Sequence, residues 1–270
     1  MPIIGIDYTK CTNCGLCVRV CPRRYSEDKE KEKTIYNDPF GSCSLCGHCI
    51  AICPQEAILY EELGDEPHTF DGIADLPNYI PYGKLYNFLR ANRSIRNYKQ
   101  KKVPEDILQK VIRAMECAPT AANLRGEKFV VLSDSEQLKA LSDAVIEELL
   151  RNPSTKSHFA ESYEVRKKIY NYPLYYDAPH IIIVYSLGKT TFEHFNIGNI
   201  ITYGQLAAQS LGLGTCWNSW TQIAFEFNPK LKKIAGVRGR SWGVMIIGYP
   251  DIKYLRCPPR SRKKVKGLIK

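Results

Sequence analysis

CTNCGLCVRVCP at residues 11–22 and CSLCGHCIAICP at residues 43–54 are two copies of one cysteine spacing. The first copy places thiols at Cys11, Cys14, Cys17 and Cys21 ahead of Pro22, and the second at Cys43, Cys46, Cys49 and Cys53 ahead of Pro54. Eight of the eleven cysteines of the chain sit in these two runs. Cysteines in an intracellular chain more often bind metal or do redox chemistry than form disulfides. Three thiols at such short gaps can wrap one corner of a compact iron–sulfur centre, and Gly15 and Gly47 let the backbone turn tightly around it. Structural zinc is the alternative reading. Zinc, however, takes four ligands, usually as two C-x2-C pairs separated by a loop, not a third cysteine two residues on and then proline.

The run C-x2-C-x2-C-x3-C-P resembles that of the bacterial two-cluster ferredoxins. The resemblance implies two [4Fe-4S] clusters, with the fourth thiolate of each copy reaching the other copy's cluster. Cluster one then takes Cys11, Cys14, Cys17 and Cys53, and cluster two takes Cys43, Cys46, Cys49 and Cys21. His48 falls between ligands of a complete set and reads as a bystander placed to tune potential. Between the copies, RRYSEDKEKEKTIYND reads as a charged hairpin with TIY as its strand and a solvated charge run. Neighbouring clusters imply transport of single electrons, and their direction is not written in cysteine spacing.

The 270 residues suffice for one large domain, or for one of about 150–200 residues with a small one beside it. Hydrophobic residues make up 44% and charged ones 24%, as in an ordinary globular protein. No apolar run approaches the roughly 20 residues of a membrane span. The opening MPIIGIDYTKC lacks the apolar segment of a signal peptide, so the expected address is cytoplasmic. The net charge of +10 hides a split: residues 1–75 carry 7 Lys and Arg against 13 Asp and Glu, and residues 76–270 carry 31 against 15. A split of this size argues for two units with different electrostatic tasks. The basic excess is dispersed and has no recognition motif, so nucleic acid is not expected as a partner.

Beyond a Pro-, Gly- and Asp-rich stretch, the periodicity changes. Ile107, Leu108, Val111, Ile112 and Met115 recur at helical spacing, with Pro104 near the helix start and Pro119 after its end. KFVVLS, PHIIIVYS and SWGVMIIGYP read as strands. Ser133 and Glu136 form a candidate capping box for a helix reaching Leu150. FEHFNIGNIITYGQLAAQSLGLG reads as a long helix closed by Gly212 and Gly214. Strands this far apart among helices point to an α+β layer, and no G-x-G-x-x-G follows a strand.

NRSIR at 92–96 and PPRSR at 258–262 concentrate guanidinium groups around hydroxyls, donors suited to phosphate oxygens. Alone, each reads as an exposed basic patch. In order, however, R-S-x-R-x-Y, A-P-T-x-x-N with F-V-V-L, a helix ending G-L-G-T-C, then G-Y-P and R-S-R resemble the nitroreductase family of FMN enzymes over residues 84–265. With the cysteine runs, the chain is similar to ferredoxin-fused nitroreductases of anaerobes.

The implied fold is α+β: a two-cluster ferredoxin domain at 1–62, a linker at 63–82, and a nitroreductase-like FMN domain at 83–270 whose central, mostly antiparallel sheet is flanked by helices. By the resemblance, Asn92, Arg93, Ser94 and Arg96 bind the phosphate, ribityl chain and pyrimidine edge of FMN, and Arg260 and Arg262 close on the phosphate. Pro119, Thr120, Ala121 and Asn123 reach the isoalloxazine from the partner subunit of a homodimer with FMN at the interface. Trp217, Asn218, Ser219 and Trp220 lie against the ring. The chain departs from the family at Asn92, where a basic residue is usual, and at Arg125, Gly126 and Glu127, which replace a polar–Pro–aromatic trio near the flavin. Cys117, Cys216 and Cys257 read as packing or ordinary thiols, and no histidine is assigned as a base.

The implied activity is that of an oxidoreductase. A one-electron carrier such as ferredoxin or flavodoxin feeds the clusters, the clusters feed FMN, and a small acceptor such as a nitroaromatic or quinone is reduced. The alternatives are direct reduction of FMN by NAD(P)H with electrons leaving through the clusters, a redox sensor or electron carrier without a substrate, and reductive dehalogenation or flavin-type dehydrogenation of a specialised metabolite. The cofactor set predicts about eight irons per chain, together with one FMN. Iron and flavin quantification after anaerobic purification checks it, and half that iron or no flavin would contradict it.

Overall fold

The computed structural model describes residues 2–61, 65–188, 191–239, 241–263 and 265–267, the side chain of Ser241 excepted. The chain divides into two compact units, one of residues Met1–Ile80 with Ala122–Leu124 and one of Pro81–Ala121 with Arg125–Lys270. The end of the first domain expected at residue 62 lies outside the described residues.

The first unit is built from short elements: β1 (Ile3–Ile6), α1 (Leu16–Val20), β2 (Tyr25–Asp28), β3 (Lys33–Tyr36), α2 (His48–Ile52), β4 (Ile58–Tyr60) and α3 (Leu76–Tyr79). β1 and β4 pair antiparallel with Ile6 opposite Ile58, which joins the two ends of the cysteine-rich segment. β2 and β3 form the charged hairpin, with Tyr25 opposite Tyr36. The buried core is small: Ile3, Ile6, Tyr25, Cys49, Ala57 and Ile58, with Cys11, Cys17, Cys21, Cys43 and Cys53 packed half-buried against it. A domain of this size with so few apolar side chains inside needs another source of stability, and bound metal is the common one.

In the second unit the elements are α4 (Tyr82–Ala91), α5 (Glu105–Glu116), β5 (Lys128–Leu132), α6 (Ser135–Arg151), α7 (Pro153–Arg166), β6 (His180–Ser186), α8 (Glu193–Ser210), β7 (Gly214–Trp217), α9 (Ser219–Phe227), α10 (Leu231–Ile234) and β8 (Ser241–Gly248). Four strands form one antiparallel sheet in the order β5-β6-β8-β7. Successive side chains of a strand point to opposite faces, so the run Ile181–Val184 feeds two cores. Ile181 and Ile183 join Leu138, Leu141 and Val145 of α6, Phe159 of α7 and Phe225 of α9. Ile182 and Val184 join Leu108, Val111 and Met115 of α5 and Ile197, Ile200 and Ile201 of α8. The result is a sheet with helices on both faces, which explains why β6 is apolar without alternation.

α5 and α8 approach closely at Gly204, where a Cβ would sit 2.7 Å from Cγ of Met115. α8 ends in a Schellman motif: Gly212 adopts φ +74°, its N–H donates to the Gln209 carbonyl (3.1 Å), and the Leu213 N–H donates to the Ala208 carbonyl (2.8 Å). Gly214, expected to help close the helix, instead opens β7. A Cβ there would collide with Ile95 at 2.6 Å, so glycine is what lets the Ile95 segment lie alongside. β7 itself was not anticipated, because G-L-G-T-C reads locally as a turn.

The expected capping box of α6 is replaced by a different arrangement. Asp134 is the N-cap and accepts from the Gln137 N–H at 2.8 Å. The Ser133 hydroxyl is engaged by Nδ1 of buried His180 at 2.6 Å. Nε2 of His180 accepts the Val103 N–H at 2.9 Å, so in the neutral ring the proton sits on Nδ1 and is donated to Ser133.

Burial, reinforced by the positive charge of Lys102, pushes the His180 imidazole down to about 4. Because the unfolded chain binds this proton near pH 6.5 and the fold resists it, stability is full above that pH and falls as pH drops toward 4. Urea unfolding of the second unit, followed by tryptophan fluorescence, should lose about 1 kcal/mol from this group between pH 7.5 and 5.5. His180→Gln, whose Oε1 can still accept from Val103, should flatten that dependence.

Candidate functional site

Each cysteine copy folds into the same loop. Asn13 and Leu45 stand two residues after the first thiol at φ 56° and 54°, and Gly15 and Gly47 follow at φ 71° and 72°. The two left-handed turns curl the backbone around a point and lead into α1 and α2. Glycine adopts this conformation freely and asparagine tolerates it, whereas Leu45 is strained there. Amide N–H groups turned inward by the curl reach sulfur: Asn13 donates to Cys11 and Leu45 to Cys43, both at 3.4 Å.

The thiols gather around two cavities. The first is lined by Cys11, Cys14, Cys17 and Cys53. The second is lined by Cys43, Cys46, Cys49 and Cys21. Each cavity therefore takes three thiols from one copy and the last thiol of the other. Among the described residues no three His, Cys, Asp or Glu side chains group around a single-ion position. A cubane asks for sulfurs spread around a space, one for each iron, and that is the arrangement seen. Desolvation raises the Cys17 and Cys49 thiols above their ordinary range. These two hold their protons at neutral pH until a metal displaces them.

Several residues with no motif of their own brace the second loop. Asp38 pairs with Arg24 at 3.3 Å and accepts the N–H groups of Ser42 and Cys43 at 2.9 Å each. Arg24 also contacts the Ser42 hydroxyl. An aspartate five residues ahead of a C-x2-C loop is the one signal that marks this brace in the sequence.

In the second unit, the residues assigned by resemblance fall into two groups. Asn92 is the C-cap of α4. Arg93 follows, donating Nη2 to the Arg90 carbonyl at 3.1 Å, while its buried Nε has no partner among the described residues. Ser94 bridges in parallel to Thr215 of β7, the Ile95 N–H donates to the Thr215 carbonyl at 2.8 Å, and the Arg96 carbonyl accepts from the Tyr170 hydroxyl at 3.3 Å. Nη2 of Arg90 reaches the Pro258 carbonyl at 3.4 Å, which brings the exposed Arg260 and Arg262 segment to the same end of the fold.

Trp217 through Trp220 continue from β7. The Trp217 indole N–H bonds to the Gln222 carboxamide. Both polar atoms of Asn218 are engaged internally, by Thr221 and by the Leu174 carbonyl. Ser219 is exposed, and Trp220 packs edge-on against Phe159 with ring centroids 5.2 Å apart.

Pro119, Thr120 and Ala121 form the other group. Asn199 of α8 donates to the Pro119 carbonyl at 3.2 Å, and Asn196 accepts the Ala121 N–H at 2.9 Å. Thr120 accepts the Arg125 N–H at 3.2 Å, closing a loop in which Ala122, Asn123 and Arg125 all have left-handed backbones. Within the first unit, Asn123 donates Nδ2 to the carbonyls of Ser44 (3.2 Å) and Leu45 (2.8 Å). The other end of α8 meets α4, through the 2.8 Å bond from Gln209 to the Phe88 carbonyl. From Asn196 to Gln209 is about 20 Å at the helical rise. One chain thus holds the two groups near opposite ends of one helix. Asn196, which anchors the loop, was not singled out from the sequence, where it is one polar residue in an apolar helix. Cys216 is buried, and Cys117 and Cys257 are exposed.

Comparison with known proteins fits this layout. Residues 89–249 match the nitroreductase family model, and residues 10–58 match that of the 4Fe-4S dicluster domain. The chain is 26% identical over 229 residues to an iodotyrosine deiodinase of Drosophila melanogaster, covering 78% of this chain and 77% of that protein. It is 24% identical over 170 residues to an iodotyrosine deiodinase of Thermotoga neapolitana, covering 62% of this chain and 89% of the relative. Its fold is shared with a nitroreductase with bound FMN from Bacteroides fragilis, at TM-score 0.56 and 23% identity over 69% of this chain and 97% of the other. Crossed thiol cavities ahead of a helix-covered antiparallel sheet, with a family match across more than half the sequence, make this chain a member of the nitroreductase family preceded by a 4Fe-4S dicluster domain.

Proposed function

We propose that the chain is an FMN-dependent oxidoreductase that receives electrons singly through two [4Fe-4S] clusters and passes them to a small organic acceptor, a nitroaromatic, quinone or similar electron-poor molecule. The observation that carries this reading is the crossing of the thiol sets, because two adjacent iron–sulfur sites serve one-electron transport and not substrate binding. A one-electron carrier such as ferredoxin or flavodoxin is the donor that single-electron delivery implies.

The second unit fits FMN. A buried guanidinium nitrogen without a partner is a costly state, and Arg93 Nε has none among the described residues, in a segment that also presents Ser94 and Arg96. Arg93, Ser94, Arg96, Arg260 and Arg262 would hold the phosphate end, and Asn92 and Trp217–Trp220 would border the rest. Bound FMN supplies the exchange between one-electron and two-electron chemistry. The cations keep negative charge favourable beside it.

Pro119, Thr120, Ala121 and Asn123 lie too far along α8 to meet this group within one chain, so the complete site takes two subunits. Apolar stripes support such a homodimer. Tyr82, Leu85, Tyr86 and Leu89 of α4 and Phe195 and Tyr203 of α8 are exposed in the single chain, a patch that self-association would cover. Glu127, standing where the family carries an aromatic residue, and Arg125, standing where it carries an uncharged polar one, favour an acceptor with polar substituents. A second reading of the acceptor, reductive removal of a halogen from an aromatic ring, is favoured by the similarity to iodotyrosine deiodinases.

Cys11→Ser or Cys43→Ser should abolish turnover driven by a one-electron carrier while sparing turnover by chemically reduced FMN. Equal loss of both activities would sink the proposal. Arg93→Ala should weaken FMN retention by roughly 10- to 100-fold, the worth of a charged hydrogen bond, measured by flavin fluorescence on dilution, with iron content unchanged.

A further inference from the structure

The two thiol-lined cavities share a backbone and differ in charge. Lining the first, beside its thiols, are Ile6, Leu16, Ala57 and Ile58 with Thr12, Thr34 and Gln55, and no charged side chain. The nearest charge shown is negative: Oε1 of Glu27 stands 3.0 Å from where a Cβ on Gly15 would be, and Gly15 is part of this lining. Around the second cavity stand Arg23, Arg24, Tyr25, Tyr36 and His48. Arg24 is paired with Asp38, whose carboxylate also accepts the Cys43 N–H at 2.9 Å, so this pair adds no net charge and Arg23 is the cation of the lining that stands outside it. Tyr25 is 2% exposed, and its hydroxyl has no oxygen or nitrogen partner among the described residues. Cys49 sulfur is the group it interacts with most directly.

Reduction adds one negative charge to a cluster. Cations and O–H donors near the ligand sulfurs favour the reduced form, and nearby carboxylates disfavour it. One feature opposes the trend: the first set receives two backbone N–H···S bonds, at Cys11 and Cys53, against one at Cys43 in the second. A single amide dipole is outweighed by the charge of Arg23 and the buried Tyr25 phenol at Cys49.

We propose that Arg23 and Tyr25 hold the second cavity's cluster at the higher reduction potential, so that an electron shared between the two cavities comes to rest at the second. The step moves one electron from the first cluster, which is oxidised by one, to the second, which is reduced by one, with no bond made or broken. This inference rests on the reading of both cavities as [4Fe-4S] sites.

The test is a redox titration of the full chain loaded with both clusters, followed by electron paramagnetic resonance. At half reduction the second cluster should hold the electron at least tenfold more often than the first, about 59 mV for a one-electron couple. Mutual repulsion alone can split two equal sites into two steps, so variants assign the steps. Tyr25→Phe and Arg23→Gln should lower the upper step and leave the lower one in place, and Glu27→Gln should raise the lower step alone. Arg23 is exposed, so its variant decides the matter if Tyr25→Phe loses iron. A merged step, or Arg23→Gln moving the lower step or both equally, overturns the inference while leaving the function proposed above intact. Failure of the wild-type chain to load two clusters strikes that earlier reading instead.

Discussion

Each thiol-lined cavity is bordered by four sulfurs, three from one cysteine copy and the fourth from the other. Cys53 faces the first set and Cys21 the second, so the copies must be held at one distance and one angle. The rest of the first unit serves that demand. β1 and β4 tie the two ends together, α1 and α2 carry the exchanged thiols across, and the left-handed residues at 13, 15, 45 and 47 aim the others. The six-residue apolar core is too small to enforce this by itself. A metal bound by these thiols would add to the fold what so small a core lacks.

The second unit is organised around a strand buried on both faces. β6 contributes to two cores, into which α5, α6, α8 and α9 each pack buried side chains. His180 at the start of β6 links three segments by accepting from Val103 and donating to Ser133. Its neutrality is imposed by burial, which is why a histidine with no motif around it is structural here and not catalytic.

Much of this was legible in the sequence. Thiol spacing pointed to metal, because short gaps and a following proline leave few ways to bind it, and the crossed sets came from the resemblance to two-cluster ferredoxins. Periodicity located α5, α8, β5, β6 and β8, whose apolar runs are long. Shorter elements were hidden. β7 has four residues and begins with Gly214, whose role depends on Ile95 more than a hundred positions away. The cap of α6 was misplaced by one residue because Ser133, a good cap by composition, is claimed by a histidine that only the sheet brings near. The Asp38 brace and the Asn196 anchor went unseen for the same reason: single polar residues acquire meaning only from what folding sets beside them.

α8 acts as a ruler. It keeps the Asn196 end, with the loop at 119–121, about 20 Å from the Gln209 end, where Arg93 and β7 gather. A rigid helix cannot shorten, so on the two-subunit reading flavin affinity is set by how tightly two copies associate. Cofactor occupancy would then depend on protein concentration, and a dilute chain would surrender its flavin before any individual contact weakened.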